Sequence, residues 1–163
     1  MSGWNEEIGL AHNHGTNWQS GSWSALSEQA LPIRLKVFVE EQSVPQEIEV
    51  DEYDALATHV IALDADGLAV GTGRLVLQND AHGKVFGRIG RMAVLQAFRN
   101  QSVGTTLMHA LIDLALTQNV PHLRLNARMT AIGFYERFGF KAQGDVFDDA
   151  GSPHIEMARD MTT

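Results

Sequence analysis

Cysteine is absent from the chain. Disulfide bridges, a cysteine nucleophile and thiolate metal sites are therefore excluded, and the composition suits a reducing compartment. No apolar run approaches the roughly 20 residues of a membrane-spanning helix. No charged-then-apolar leader heads the chain, so a cytoplasmic protein with no membrane partner is expected. Basic residues are scarce: 12 Lys and Arg stand against 20 Asp and Glu, a formal charge of −8. That balance argues against a nucleic-acid partner and makes a basic small molecule or peptide easier to accept. His12 and His14 have no nearby carboxylate or third histidine to complete a site, so no metal is expected. Repeats, low-complexity tracts and linkers are missing too. The 163 residues read as a single domain 1–163, with 1–16 a loosely structured N-terminal arm.

What is present is organised around Arg88 to Leu116. The stretch opens as a β-branched apolar run (Ile89, Met92, Ala93, Val94) that predicts a strand. It closes as an apolar helix with Val103, Leu107, Leu111 and Leu114 at 3–4 spacing. The turn between them, Arg99-Asn100-Gln101-Ser102-Val103-Gly104, starts a helix whose first amides lack intrahelical partners. Such a turn favours an anion. Ser102 is expected to cap the helix, and Gly104 to admit a ligand close to the backbone.

Elsewhere the pattern predicts a first strand near Asn17 to Trp23 and a helix from Ser24 to Gln42. Ser24 is its cap, and a break or a new first turn is expected at Pro32. Arg34, beside the apolar face, is expected to pair with a carboxylate. Ser43 to Asp54 is a loop inside an acidic run from Glu40. Most of its carboxylates read as a solvated face, with Glu41 and Asp51 the members expected to meet a cationic substrate. Strands Thr58 to Asp64 and Leu68 to Gln78 are joined at Ala65-Asp66-Gly67, a hairpin signal. Gly71 and Gly73 in the second suggest a bulge or a close backbone approach. A third antiparallel strand, Lys84 to Val94, leads into the central element. A strand from Val120 to Asn126, a short helix from Thr130 to Phe138 ended by Gly139, and strands Phe140 to Phe147 and His154 to Ala158 complete the chain. The class is α/β, an α+β arrangement on a mixed sheet, with one crossover helix.

These residues resemble the GNAT superfamily of acyl-CoA-dependent N-acyltransferases. Its phosphate pattern is Arg or Gln, two residues, Gly, one residue, then Gly or Ala. Here Arg99 to Gly104 follow it, with Ser102 in place of the first glycine. Met92-Ala93-Val94 match the strand that holds the pantetheine arm, and Ala131 to Phe140 match an Ala-x-x-x-Tyr-x-x-x-Gly-Phe signature. Arg34, Val37 to Gln42, Pro45, Glu49, Asp51, Asp54, His59 and the ending Asp149 to Met157 are similar to the ElaA-like branch.

The resemblance implies a GNAT-type acyl-CoA N-acyltransferase fold and acetyl-CoA as co-substrate. The pyrophosphate would lie on the amides of Val103, Gly104 and Thr105, within a cofactor-binding set of Met92, Ala93, Val94, Arg99, Asn100, Gln101, Ser102, Asn126 and Arg128. Arg128 stands where many relatives carry asparagine. The Met92 amide would hold the thioester carbonyl, and Tyr135 would protonate the leaving thiol. Some relatives place a glutamate four residues before the thioester-binding position. Here that residue is Arg88, which leaves His59, Glu41 and His154 as candidate bases, His59 foremost. The implied partner is a small-molecule or peptide amine, and the reading is compatible with a homodimer. Two functions stay open: an N-acetyltransferase working by direct attack in a ternary complex, and a catalytically weak CoA-binding sensor. A P-loop nucleotide site is disfavoured, since Thr105 and Thr106 rather than lysine follow Gly104.

Overall fold

The computed structural model describes residues 11–13 and 16–161. Most of the expected arm, including His14, lies outside them. Strands β1 (Ala11–Asn13) and β2 (Thr16–Gly21) precede helix α1 (Trp23–Arg34), which continues as a π-helical segment Leu35–Glu41. Then come the short helix α2 (Gln46–Glu49) and strands β3 (Thr58–Leu63), β4 (Ala69–Asn79) and β5 (Val85–Val94). Helix α3 (Val103–Thr117), strand β6 (His122–Arg128), helix α4 (Ile132–Glu136) and strands β7 (Lys141–Asp149) and β8 (Ser152–Asp160) finish the chain. The strands form one sheet in the order β1-β2-β3-β4-β5-β6-β8-β7. Among the described residues, only the β5–β6 pair is parallel. Among the described residues, no helix is long and apolar enough to cross a membrane.

The sheet is covered on both faces, which gives three layers. Val60, Ala62, Val70, Leu75 and Ile89 pack with Leu107, Met108 and Leu111 of α3. Ile61 and Leu63, of opposite parity on β3, pack with Leu26 and Ala30 of α1. This is why β3 reads as a continuous apolar run rather than a clean alternation. Each fully buried Leu or Met of α3 contributes roughly 1.5–3 kcal/mol. Gly71 and Gly73 let α3 lie close on β4. A Cβ at Gly71 would fall 2.9 Å from Val103 Cγ1, and one at Gly73 would fall 2.8 Å from Met92 Sδ and 3.1 Å from Leu111 Cδ1. Both readings of this pair hold, because the β4–β5 register also slips between Thr72 and Arg74.

Several local expectations are corrected. The cap of α1 is Ser22, which accepts from the Ala25 amide, not Ser24. Pro32 does not break the helix. Pro32 and Glu28 are both exposed, so the carbonyl left without its donor can turn to water. The irregularity comes later, where Gln42 N bonds Val37 O in the π-helical segment. The last hairpin is tighter than expected: Ala150 and Gly151 both have positive φ (52° and 84°), and β7 and β8 begin and end at that two-residue turn.

Candidate active site

Strands β5 and β6 pair only at Gly87–Leu123 and Arg88–Arg124. Beyond those pairs they diverge, as a slot for a linear ligand requires. The gap is a cavity of about 450 Å³. One wall is Ile89 to Met92 of β5, and the other is Leu125, Asn126 and Arg128 of β6. Phe38, Gln42, Val44, Pro45 and Glu49 close it from the first helical region. Ala131, Tyr135, Asp149, Ala150 and His154 close it from the C-terminal half.

On the β5 side the strand bulges. Thr72 faces Ala93 and Arg74 faces Gly90, so three β5 steps oppose two β4 steps. Arg91 takes up the extra residue at φ 51°. Met92 follows it in the slot wall. Ala93 points away, packed with Ile33 and Val37 under the first helix.

The anion turn follows β5. Asn100 and Ser102 are both left-handed, with φ 65° and 67°. That backbone explains a pattern in which glycine is usual, and Ser102 adopts it at a cost of roughly 1–2 kcal/mol. The Ser102 side chain does not cap α3; a residue in the left-handed region cannot take the extended geometry of a capping serine. Its carbonyl instead accepts from Thr106 N and Oγ1. The amides of Val103, Gly104 and Thr105 thus receive no bond from the Ser102 side chain. Gly104 has ordinary space, its virtual Cβ lying 3.5 Å from Phe134 Cζ. Gln101 Nε2 donates to Ala97 O. Arg99 bonds the Val94 carbonyl at 2.9 Å and Glu41 at 2.8 Å.

Tyr135 stands in the slot against Phe134 and Phe140, with ring centroids 5.1 and 6.4 Å away. Burial pushes its phenol above the ordinary 10.0, so the hydroxyl keeps its proton at neutral pH. Among the described residues, no protein group bonds that hydroxyl. His154 lies in the same cavity, and its Nδ1 is 2.9 Å from the Ser152 carbonyl. A carbonyl only accepts, so Nδ1 carries a proton and Nε2 is the nitrogen that can offer a lone pair.

Three expected site residues stand elsewhere. His59 does not line the slot. It is buried against Trp23, and its Nε2 donates to the Asp54 carbonyl at 2.9 Å. Burial lowers its pKa despite Asp54, so it is a neutral structural histidine and not a base for a substrate in the slot. Glu41 lies on the anion-turn side, paired with Arg99 beside a shallower recess shared with Lys36 and Leu95 to Phe98. Asp51 is engaged by Arg74 at 2.7 Å and by Arg91 at 3.1 Å.

The acidic loop is therefore not a solvated face throughout. Arg34 pairs with Glu49 and Asp54, Arg74 with Asp54 and Asp51, and Arg91 with Asp51 and Glu49. Three guanidiniums and three carboxylates alternate around a closed ring. The side chains of Arg34, Glu49 and Asp54 are only 1% exposed. The expected carboxylate partner of Arg34 is present twice. Arg74 and Arg91 are not among the residues the sequence motifs single out. A charged residue in an otherwise buried apolar strand, as in Gly73-Arg74-Leu75 and Gly90-Arg91-Met92, is the mark that points to them. Arg88, where a glutamate occurs in some relatives, bonds Glu156 at 3.0 Å.

A family model described as an acetyltransferase (GNAT) domain matches residues 23–161. The chain is 34% identical to the Bacillus subtilis protein named Uncharacterized N-acetyltransferase YjcF over 134 residues, 82% of this chain and 91% of that one. It is 33% identical to Protein ElaA of Escherichia coli over 151 residues, 88% of this chain and 96% of ElaA. The ElaA crystal structure matches with a TM-score of 0.74, covering 88% of this chain and 99% of that one. The crystal structure of an acyl-CoA N-acyltransferase from Pseudomonas aeruginosa matches with a TM-score of 0.76 at 30% identity, again over 88% and 99%.

Proposed function

The chain belongs to the GNAT acetyltransferase family, and resembles its ElaA-like branch; from that premise we propose that it transfers an acetyl group from acetyl-CoA to a primary amine of a small molecule or peptide, by direct attack in a ternary complex. Acyl transfer from acyl-CoA is the reaction of the family. The observation that carries the finer reading is the β5–β6 slot, with the Tyr135 hydroxyl, unbonded among the described residues, on one wall and the His154 imidazole on another.

The residues fit the co-substrate. The amides of Val103, Gly104 and Thr105, at the positive end of α3, bind the pyrophosphate. Asn100 and Ser102 shape that turn, and Arg99 stands beside it. The slot receives the pantetheine between Met92 and Val94 on one side and Asn126 and Arg128 on the other. The Met92 amide, just after the bulge, donates to the thioester carbonyl as its oxygen gains charge. A fixed donor of that kind is worth roughly 10²–10³-fold in rate.

His154 Nε2 accepts a proton from the attacking amine. The amine nitrogen bonds the acyl carbon, the carbon–sulfur bond breaks, and Tyr135 gives its proton to the departing sulfur. Amide and free thiol leave, His154 gives its extra proton to solvent, and Tyr135 regains one from solvent. The raised pKa of Tyr135 keeps this donor loaded across the neutral range.

A thiol-release screen of amine libraries with acetyl-CoA tests the reading. Turnover with at least one primary amine is expected, and it should fall by roughly 10²–10⁴-fold in His154→Gln, the range for a positioned acid or base. If the folded protein binds acetyl-CoA yet releases no thiol above its own hydrolysis with any amine, the sensor reading takes its place.

A further inference from the structure

The closed ring of charges lies where the slot wall is irregular. Arg91 is a non-glycine residue at φ 51°. That conformation is disfavoured in a side-chain-bearing residue, and glycine would occupy it freely. The position holds an arginine whose side chain is tied on several sides. Its Nε is 3.2 Å from the Glu49 carbonyl and 3.4 Å from the Glu49 carboxylate, and Nη2 is 3.1 Å from Asp51. The opposite strand is tied into the same ring. Arg74 of β4 is the register partner of Gly90, the residue before Arg91, and it bonds both Asp51 and Asp54. Arg34 of α1 closes the circuit through Glu49 and Asp54. The two strands that bound the bulge, the first helix and the 49–54 loop are thus joined through one cycle.

A ring of this kind is weak evidence for stability by itself, because burying charges costs much of what pairing returns. What it supplies is direction. Guanidinium forks bonded to carboxylates fix angles as well as distances. Three positive and three negative groups also cancel, so the ring leaves no net charge on the slot wall that Glu49 and Arg91 help to form.

We propose that this ring holds the β5 bulge in place, with Arg91 as the positioning residue that aims the following Met92 amide into the slot. The proposal rests on the reading above, in which that amide meets the thioester carbonyl. It assigns the acidic loop a bracing role in place of attraction of a cation.

The test compares Arg91→Gly and Arg91→Lys with the wild-type protein. Arg91 is partly exposed, and glycine relieves the backbone strain, so Arg91→Gly should stay folded. Hydrogen–deuterium exchange is followed at residues 90–94 and at the start of α3, alongside CoA affinity and kcat with an accepted amine. In Arg91→Gly, exchange should speed up at 90–94 and stay unchanged at the α3 start. CoA affinity should hold within about twofold. Because a fixed donor is worth about 10²–10³-fold, a displaced one should lower kcat by roughly 10–100-fold. Arg91→Lys, which keeps the charge but loses the fork, should recover part of both. Wild-type exchange at 90–94 in Arg91→Gly overturns the proposal, whatever happens to kcat. Faster exchange throughout the protein also overturns it, since that is general loosening. If the wild type acetylates no amine while exchange responds as stated, the functional reading fails and the brace stands.

Discussion

Asp54→Asn is the sharpest perturbation of the ring. The Asp54 carboxylate accepts from Arg34 Nη1 at 2.8 Å and Nη2 at 3.0 Å, from Arg74 Nη1 at 2.8 Å and from the Asp51 amide at 3.1 Å. Asparagine keeps the shape but removes one negative charge and turns an NH₂ toward donors. Three arginines then share two carboxylates beside an Arg34 guanidinium that is only 1% exposed, and breaking a buried pair of that kind costs about 3–5 kcal/mol. Titration gives a second route to the magnitude. Burial pushes the Asp54 carboxyl up, but the bond and charge of Arg34, the Asp51 amide and Arg74 outweigh it and hold the pKa at about 2 against an ordinary 3.8. That gap is worth about 2 kcal/mol. The folded-state value is the depressed one, so this stability is present above pH ~4 and lost as pH falls toward ~2. At pH 7 the variant should be about 2–5 kcal/mol less stable. For a chain of this size that is roughly a 5–15 °C fall in Tm. The difference from wild type should shrink as the pH drops through the same window, because wild type then loses what the variant already lacks. Urea unfolding followed by tryptophan fluorescence between pH 7 and 2.5 measures both. A gap below about 1 kcal/mol at neutral pH, or one that stays constant on acidification, would refute the account of Asp54.

Three further outcomes follow from the site. Tyr135→Phe keeps the ring packing against Phe134 and Phe140, so fold and CoA binding should persist while kcat falls by roughly 10²–10⁴-fold; steady-state kinetics within threefold of wild type would make Tyr135 a packing residue only. Gly104→Glu has room for its Cβ beside Phe134 but sets a carboxylate among the open amides, so calorimetry should find a folded protein without measurable CoA affinity. Glu41→Gln frees the Arg99 guanidinium from a half-exposed pair worth about 0.2–1 kcal/mol. It should tighten CoA by up to about fivefold and leave the amine KM unchanged, whereas a raised amine KM would return Glu41 to the acceptor side.

The parts of the site that were legible in the sequence are local or periodic. The β5–α3 unit shows as a change from β-branched to 3–4 spacing, and the slot follows from two strands on either side of a crossover helix. The paired glycines 71 and 73 signal a bulge or a close backbone approach, and the structure has a bulge there and α3 packed close. What escaped has its cause in long-range pairing. Asp51 meets Arg91 across 40 residues and Asp54 meets Arg74 across 20, and a run of carboxylates looks the same on paper whether water or guanidinium surrounds it. The misreading of Ser102 has a different origin. A serine before a helix usually caps it, but its φ of 67° is set by the turn that feeds α3, and side-chain chemistry alone does not reveal that. His59 misled in a similar way, because its place at the start of a strand said nothing about which face of the sheet Trp23 and Asp54 would occupy.

The residues that resemble the ElaA-like branch sort into two structural roles. Arg34, Glu49, Asp51 and Asp54 belong to the ring, and His59 braces it from behind through the Asp54 carbonyl. Asp149 and His154, from the chain ending, line the slot. Glu49 belongs to both sets. This changes what the net charge of −8 means at the site. The ring balances its own charges, Glu41 is spent on Arg99, and Glu156 is spent on Arg88. Of the carboxylates lining the slot, Glu49 is neutralised within the ring, and Asp149 shares the lining with the oppositely charged Arg128. A ring so balanced exerts little pull on a distant cation, since its opposed charges within a few ångströms cancel beyond a screening length of about 8–10 Å. On the proposed function, selection of the amine would then fall to close-range features: the width set by Phe38, Val44, Pro45 and Leu125, and the hydrogen-bonding edges of Gln42, Asn126 and His154, all of which line the slot.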